Sequence, residues 1–456
     1  MADDARFEAE DGLDARRVAA ILQAVEAEDR AALARLLQPM HPADVADLLE
    51  QISAEERGAL LALGAGEIDG EILSEISDSI REEVIEALPP AVVAEAMRDL
   101  DTDDVVDILE DLEEPAQEAI LSTLDTADRL AVEQALAYPE YSAGRLMQRE
   151  VVTAPAHWTV GEMIDHLRRA ETLPDQFYHV ILVDPRMKPV GYVTLGRMLS
   201  ARREVPLQAI VEESFRTITA DDAEADVAYL FNQYHLISCP VVDAYGRLVG
   251  VITIDDAMNV LDEEHQEDML RMAGVSDDAS VSDGVFETLK GRLPWLFVNL
   301  LAANLAAFVI SRFEATISAV VVLAALMPIV ASMGGNAGTQ SLTVAVRALA
   351  TRDLTSSNAL RVVRREATVG LLNGMVFAAL MGMVGWLVFG WALLGVVLGV
   401  AMIINLLVAA LAGVVVPLTM NKLGADPALA SGTFVTTVTD VVGFFAFLGL
   451  ATWMLI

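Results

Sequence analysis

Residues 367–421 form a run of 55 without a single Lys, Arg, Asp or Glu. A bilayer crossing takes about 20 apolar residues, so this run accommodates two membrane helices, with a turn expected near Trp386–Trp391. Nineteen uncharged residues between Arg292 and Arg312 suit one more span. Glu314 and Arg347 bracket 32, too many for one straight crossing, and the glycines of MGGNAGTQ (333–340) are expected to loosen or break a helix there. A last span runs from about Ala428 to Ile456, which makes five.

Charge divides the chain in the same place. The whole sequence carries a formal net charge of −37. Residues 290–456 hold only five acids and nine Lys/Arg, which leaves 62 acids and 21 bases, near −41, for residues 1–289. The chain therefore reads as an acidic soluble part attached to an apolar, slightly basic membrane domain. Acidity of this degree argues against nucleic acid as a partner and is compatible with cations. A solvated acidic surface with no local function is the plainer alternative. Cys239 is the only cysteine, so neither a disulfide framework nor a thiolate cluster can form. The start, MADDARFEAEDG, has no basic or apolar leader, so the N-terminus is expected in the cytoplasm. Eight Lys/Arg (290, 292, 347, 352, 361, 364, 365, 422) then flank the spans inside and only Arg312 outside, which fits the positive-inside rule and puts the C-terminus outside.

Asp440 is the sole charge between Leu429 and Ile456. An ionised carboxylate at mid-depth costs about 2.5–3.5 kcal/mol on insertion scales. No Lys or Arg stands at its depth; the oxygen-bearing residues near it in sequence are Thr436, Thr437 and Thr439, with Asn299, Asn304, Asn336, Gln340, Asn373 and Asn405 on other spans. Such a group suits a water-filled path, a cation or a proton. A protonated Asp bonded between helices is the alternative.

Two repeats mark the soluble part. DVADLLEQI (44–52) and DVVDILEDL (104–112) lie 60 residues apart with helical spacing, and predict a stack of short helices over 1–135. Asp44/Asp47 and Asp104/Asp107 each share one helix face. The second repeat is VILVDPRMKPVGYVTLGRML (180–199) and CPVVDAYGRLVGVITIDDAM (239–258): strand, tight turn, strand, then a helix starting near the Thr. It resembles a tandem CBS pair. In that family Ser/Thr-x-x-Asp places the Asp on a ribose; the second copy has Thr253 and Asp256, the first Thr194 and Arg197. ATP therefore stays an open alternative, with Thr253 and Asp256 its candidate contacts. An acidic helical stretch over 255–274 leads through 275–289 to the membrane.

This order of parts, together with PIVASMGGNAGTQ (328–340), RALATRDL (347–354), LGADPAL (423–429) and TTVTDVVGF (436–444), resembles the MgtE family of magnesium channels over nearly the whole chain. The resemblance implies an all-α superhelical N-terminal domain (1–137), an α/β tandem CBS pair (138–203 and 204–262), a connecting plug helix (255–289) and an α-helical transmembrane bundle of five helices per subunit (290–456). It implies a homodimer in the cell inner membrane whose substrate is Mg²⁺. Asp440 would be the pore's ion site, with Thr436 beside it and Gly335, Asn336, Gln340 and Asn405 as pore-lining candidates. Sensing of cytosolic Mg²⁺ would fall to Glu71, Asp103, Asp107, Asp256, Glu264, Glu267 and Asp426, with Asn259 standing where a charged Asp is usual. The competing functions are a proton-coupled divalent-metal transporter and a membrane-anchored CBS sensor. An enzyme is not expected: no Ser-His-Asp set or Gly-rich phosphate loop is discernible, and the six His lack metal-ligand spacing.

Overall fold

The computed structural model describes residues 13–456 apart from 111, 171, 172, 175, 278, 282, 283 and 431. The expectation of a cytoplasmic N-terminus rests on residues that lie outside these. Two compact units result, residues 1–262 and 263–456.

The first unit opens with ten short helices between Ala15 and Leu136. Their starts disclose a period that the 60-residue repeat conceals. Helices Arg30–Leu37, Ala54–Gly64, Asp78–Ala87, Thr102–Glu110 and Thr126–Leu136 begin 24 residues apart, and so do Pro90–Asp99 and Glu114–Leu121. The residues just before the first series, Asp29, Ser53, Ser77, Asp101 and Asp125, are all good N-caps. Asp29 accepts from Ala32 N at 2.9 Å, Ser53 forms a capping box with Glu56, and Asp125 accepts from Ala127 and Asp128 N. The two segments matched in sequence, 44–52 and 104–112, stand two and a half periods apart. They resemble each other because both are amphipathic, and they occupy different places in the repeating unit. One continuous core, including Leu33, Leu48, Leu60, Leu73, Val84, Met97, Val106 and Ile108, runs the length of the stack.

Each CBS copy is a three-stranded sheet. In the first, β1 (Thr153–Pro155) runs parallel to β2 (His179–Val183), which pairs antiparallel with β3 (Pro189–Thr194). In the second, β4 (Ile218–Thr219), β5 (Ser238–Val242) and β6 (Leu248–Thr253) repeat that pattern, with the register shift at the equivalent point. Helices Leu195–Ser200 and Ile254–Ala273 follow the two Thr residues, as the repeat predicts. The buried alternation of Val180, Leu182 and Val193, and of Cys239, Val241 and Ile252, holds the sheets on their helices.

In the second unit, five helices are long and apolar enough to cross a membrane: Val285–Ser311, Val322–Ala350, Ala359–Phe389, Ala392–Lys422 and Gly432–Leu455, here the first to fifth spans. The turn between the third and fourth is Gly390, at φ +65°, where a side chain would be strained. Two expectations need correction. The connecting helix ends at Ala273, and residues 285–289 already belong to the first span. Residues 333–340 do not break a helix; the second span runs through them unbroken. The glycines there serve packing instead. A Cβ at Gly338 would come within 2.5 Å of Val435 on the fifth span, and one at Gly334 would overlap Asn405 on the fourth. Close approach stabilises helix pairs in lipid, where small residues form the seams.

Candidate functional sites

Asp440 lies on the fifth span at intermediate exposure and makes no ion pair among the described residues. The hydroxyls around it are turned onto their own helix: Thr436 and Thr437 donate to Thr433 O at 3.1 and 2.6 Å, and Thr439 to Thr436 O at 2.9 Å. Their protons are thus committed to backbone carbonyls, and lone pairs are what they can offer a cation. Gly335 abuts Thr436, since a Cβ there would meet Thr436 Cγ2 at 3.3 Å. Asn336 and Gln340 are exposed on the same span, one turn apart. Asn405 differs from the other pore-lining candidates. It is fully buried, its Nδ2 donates to Val330 O at 2.7 Å, and its Oδ1 has no partner among the described residues. It sits between Gly334 and Gly443 as a packing residue. A further buried acid, Glu366 on the third span, accepts from Ser341 Oγ at 3.2 Å.

In the first unit, the helix Thr102–Glu110 carries Asp103 towards Asp256, the third residue of helix Ile254–Ala273. Asp103 is buried. Burial first, then Asp256, Asp104 and Asp101, push its carboxyl well above the usual carboxylate range. Asp256 is raised likewise, by burial and then by Asp255. Asp104, which the sequence singles out only as a face partner of Asp107, is pushed up to about 7 by burial and four acidic neighbours. Like charges brought together with no base between them disfavour ionisation. Asp107 stands apart from this group in one respect: Arg81 holds it at 3.0 Å. Glu71 is exposed on helix Gly70–Ser74 and makes no side-chain hydrogen bond or ion pair among the described residues. Thr253 donates to Asp256 at 2.8 Å and also to Asp255. In the first CBS copy Thr194 caps its helix through Arg197 N, and Arg197 pairs with Glu212 at 2.9 Å.

In the second unit, Arg271 gathers the acids of the connecting segment. It reaches Asp426 at 2.7 Å, Glu267 at 2.9 Å and Asp277 at 2.6 Å. Asp426 also caps the turn before the fifth span by accepting from Ala428 N at 2.7 Å. Burial raises Glu264, Glu267 and Asp268, with Asp426 adding to each. Nothing in the sequence singles out Arg271, because its partner Asp426 is 155 residues away. Among the described residues no group of three or more His, Cys, Asp or Glu is positioned to hold a metal ion. Acidic neighbours without a chelating set suit an ion that keeps part of its water shell.

Comparison with known proteins covers most of the chain. The family described as MgtE, a divalent cation transporter, matches residues 327–450; the MgtE intracellular N domain matches 40–141; CBS domains match 143–204 and 207–263. The chain is 32% identical over 449 residues to the magnesium transporter MgtE of Thermus thermophilus, covering 97% of this chain and 99% of that one. It is 34% identical over 325 residues to the magnesium transporter MgtE of Enterococcus faecalis, covering 70% and 71%. Among solved structures, the cytosolic domain of the Mg²⁺ channel MgtE in complex with ATP is 30% identical, covering 53% of this chain and 99% of that one at a TM-score of 0.49. Matching in all three regions, and along nearly the full length of a relative, this multi-pass membrane protein belongs to the MgtE family of divalent cation transporters.

Proposed function

We propose that the chain is a Mg²⁺-selective channel for magnesium uptake, working as a homodimer in the cell inner membrane with its soluble part in the cytoplasm. The observation that carries this reading is Asp440, a carboxylate with no basic partner among the described residues on an apolar span, one helical turn from Thr436, which abuts Gly335 of the second span. Mg²⁺ prefers octahedral oxygen at about 2.0–2.1 Å and dehydrates reluctantly. One carboxylate from each of two subunits could hold it through its water shell, weakly enough for release. We assign the domains as 1–137, 138–203 and 204–262, joined by the helix Ile254–Ala273 to a membrane domain that starts with the first span at Val285, with transport rather than catalysis as their joint task.

Gating follows from the acid pairs. Two bare carboxylates ~4 Å apart repel by about 4 kcal/mol at an effective dielectric of 20. Asp103 and Asp256 repel each other in the first unit, and Glu264, Glu267 and Asp268 repel Asp426 in the second, where Arg271 offsets part of the charge. Cytosolic Mg²⁺ screens them and stabilises the closed channel; its depletion releases them. ATP has a poor donor set here: the ribose position is Arg197 in one copy, and in the other Asp256 accepts from Thr253 and repels the carboxylate of Asp103.

Mg²⁺ flux into proteoliposomes tests the reading, comparing wild type with Asp440→Asn at low and high Mg²⁺ on the face bearing the soluble part. Flux that vanishes in Asp440→Asn, falls at high Mg²⁺ in wild type and ignores a protonophore is expected. Equal flux in both proteins would sink the pore assignment. Flux that collapses with the protonophore would favour proton coupling.

A further inference from the structure

We propose that Arg271 is a tethered cation that fastens the connecting helix to the Asp426 turn and stands in for part of the Mg²⁺ charge that closure requires. The inference rests on the gating reading above and extends it to a residue that reading does not use.

Four contacts carry it. Arg271 Nη1 donates to Asp426 Oδ2 at 2.7 Å. Nη2 lies 2.9 Å from Glu267 Oε2, and Nη2 and Nε reach Asp277 Oδ2 at 2.6 and 3.1 Å. A guanidinium is permanently charged, and its planar fork can serve several carboxylates at once. Around it stand Glu264, Glu267, Asp268, Asp277 and Asp426, with His265 as the other basic group near them. Five acids against one arginine leave a strong negative excess. That excess is why a second, diffusible cation is still wanted.

The position of Arg271 adds to this. It lies in the last turn of helix Ile254–Ala273, where a cation also complements the helix dipole. Next to it, Met272 packs on the cluster of Leu342, Val346 and Val435, so apolar contact and ion pairing hold the same turn. Asp426 is itself fixed through its other oxygen, by Ala428 N. The pair therefore joins two rigid points, the end of the connecting helix and the turn that leads to the Asp440 helix. Once Mg²⁺ leaves, this link persists, and the helix end stays near the turn for rapid closure. Replacing the guanidinium with a neutral group would leave five acids for Mg²⁺ alone to neutralise.

Full-length protein in proteoliposomes, with Arg271→Gln, Arg271→Lys, Asp426→Asn and the double variant Arg271→Gln/Asp426→Asn, tests the proposal. Flux is titrated against Mg²⁺ on the soluble face, and amide exchange of residues 264–277 is followed without Mg²⁺. Arg271→Gln should raise the half-closing Mg²⁺ about three- to tenfold and quicken exchange at zero Mg²⁺. Arg271→Lys should fall between it and wild type, and the double variant should show less than the sum of the single effects. Unchanged threshold and exchange in Arg271→Gln would overturn the proposal. A lowered threshold would overturn it too, since Arg271 would then be a competitor of the ion. If wild-type flux ignores Mg²⁺, the gating reading fails by itself, while the exchange difference still reports whether the tether exists.

Discussion

Asn405 Nδ2 donates to Val330 O across two spans at 2.7 Å, from a side chain with no exposed surface. The bond is possible because Gly334 and Gly443 leave room for the amide on either side. One residue thus ties the second span to the fourth and lies against the fifth, the helix of Asp440.

Asn405→Ala should therefore lower the thermal midpoint in detergent, losing a hydrogen bond and opening a cavity, by about 2 kcal/mol in all. Asn405→Asp should be worse, because a charge would enter a buried site with no basic partner among the described residues. The order of midpoints, wild type above Ala above Asp, is the check. An Asp variant as stable as wild type would mean that water or a cation reaches this site.

Neutralising one of the proposed sensing acids should stabilise the protein when Mg²⁺ is absent. Asp103 is buried among Asp256, Asp104 and Asp101, so Asp103→Asn removes repulsion at little cost in packing. A gain of about 1 kcal/mol without Mg²⁺ is expected, with a smaller further gain on adding Mg²⁺ than wild type shows. Thermal unfolding with EDTA and with saturating Mg²⁺ measures both. An Asn variant that loses stability in EDTA would show that the carboxylate makes a favourable contact.

The same groups set a pH dependence. Asp104 is raised from 3.8 to about 7 in the folded chain, so between roughly those values the folded state holds more protons than the unfolded. Stability from this group is greatest at the acid end of the window and is lost as pH rises towards 7. Asp103 and Asp256 shift in the same direction. Without Mg²⁺, moving from pH 7.5 to 6 should protect residues 102–110 from amide exchange, after correction for the intrinsic rate. Added Mg²⁺ should give the same protection at pH 7.5 and little more at pH 6. Equal Mg²⁺ effects at both values would separate the proton from the ion.

The five spans were legible because a helix that crosses lipid needs a long run almost free of charge, and runs of 19 to 55 residues leave little choice. What 333–340 does was not legible, since a glycine that loosens a helix and one that seats a neighbour look alike without the neighbour. Gly334 needs Asn405, 71 positions on, to be understood. Arg271 escaped for the same reason, its partner being far along the chain. The 24-residue period was hidden because its markers are caps, which alternate freely among Asp and Ser. Asp103 and Asp256 came from the family likeness; the burial of Asp103 and its nearness to Asp256 are visible only in the fold.

That period makes a last prediction. Arg57 is 5% exposed, donates to Leu49 O at 2.7 Å and pairs with Glu83 at 2.7 Å. Arg81, 24 residues later, is 4% exposed, donates to Ile76 O at 3.1 Å and pairs with Asp107 at 3.0 Å. The two arginines fill equivalent places, each crossing to the helix of the next repeat. In each pair the base is buried and the acid exposed, at 47% for Glu83 and 62% for Asp107. Removing the base leaves a carbonyl without its donor, whereas removing the acid leaves a guanidinium that still has backbone acceptors. Arg57→Met and Arg81→Met should each cost about 2 kcal/mol, and Glu83→Gln and Asp107→Asn well under half of that. Asp107→Asn should then shift the Mg²⁺ threshold less than Asp103→Asn does, because Arg81 already neutralises Asp107. Unfolding midpoints and Mg²⁺ titrations of the four variants and Asp103→Asn settle the point. A threshold moved as far by Asp107→Asn as by Asp103→Asn would make Asp107 a direct ion ligand, with Arg81 displaced when Mg²⁺ binds.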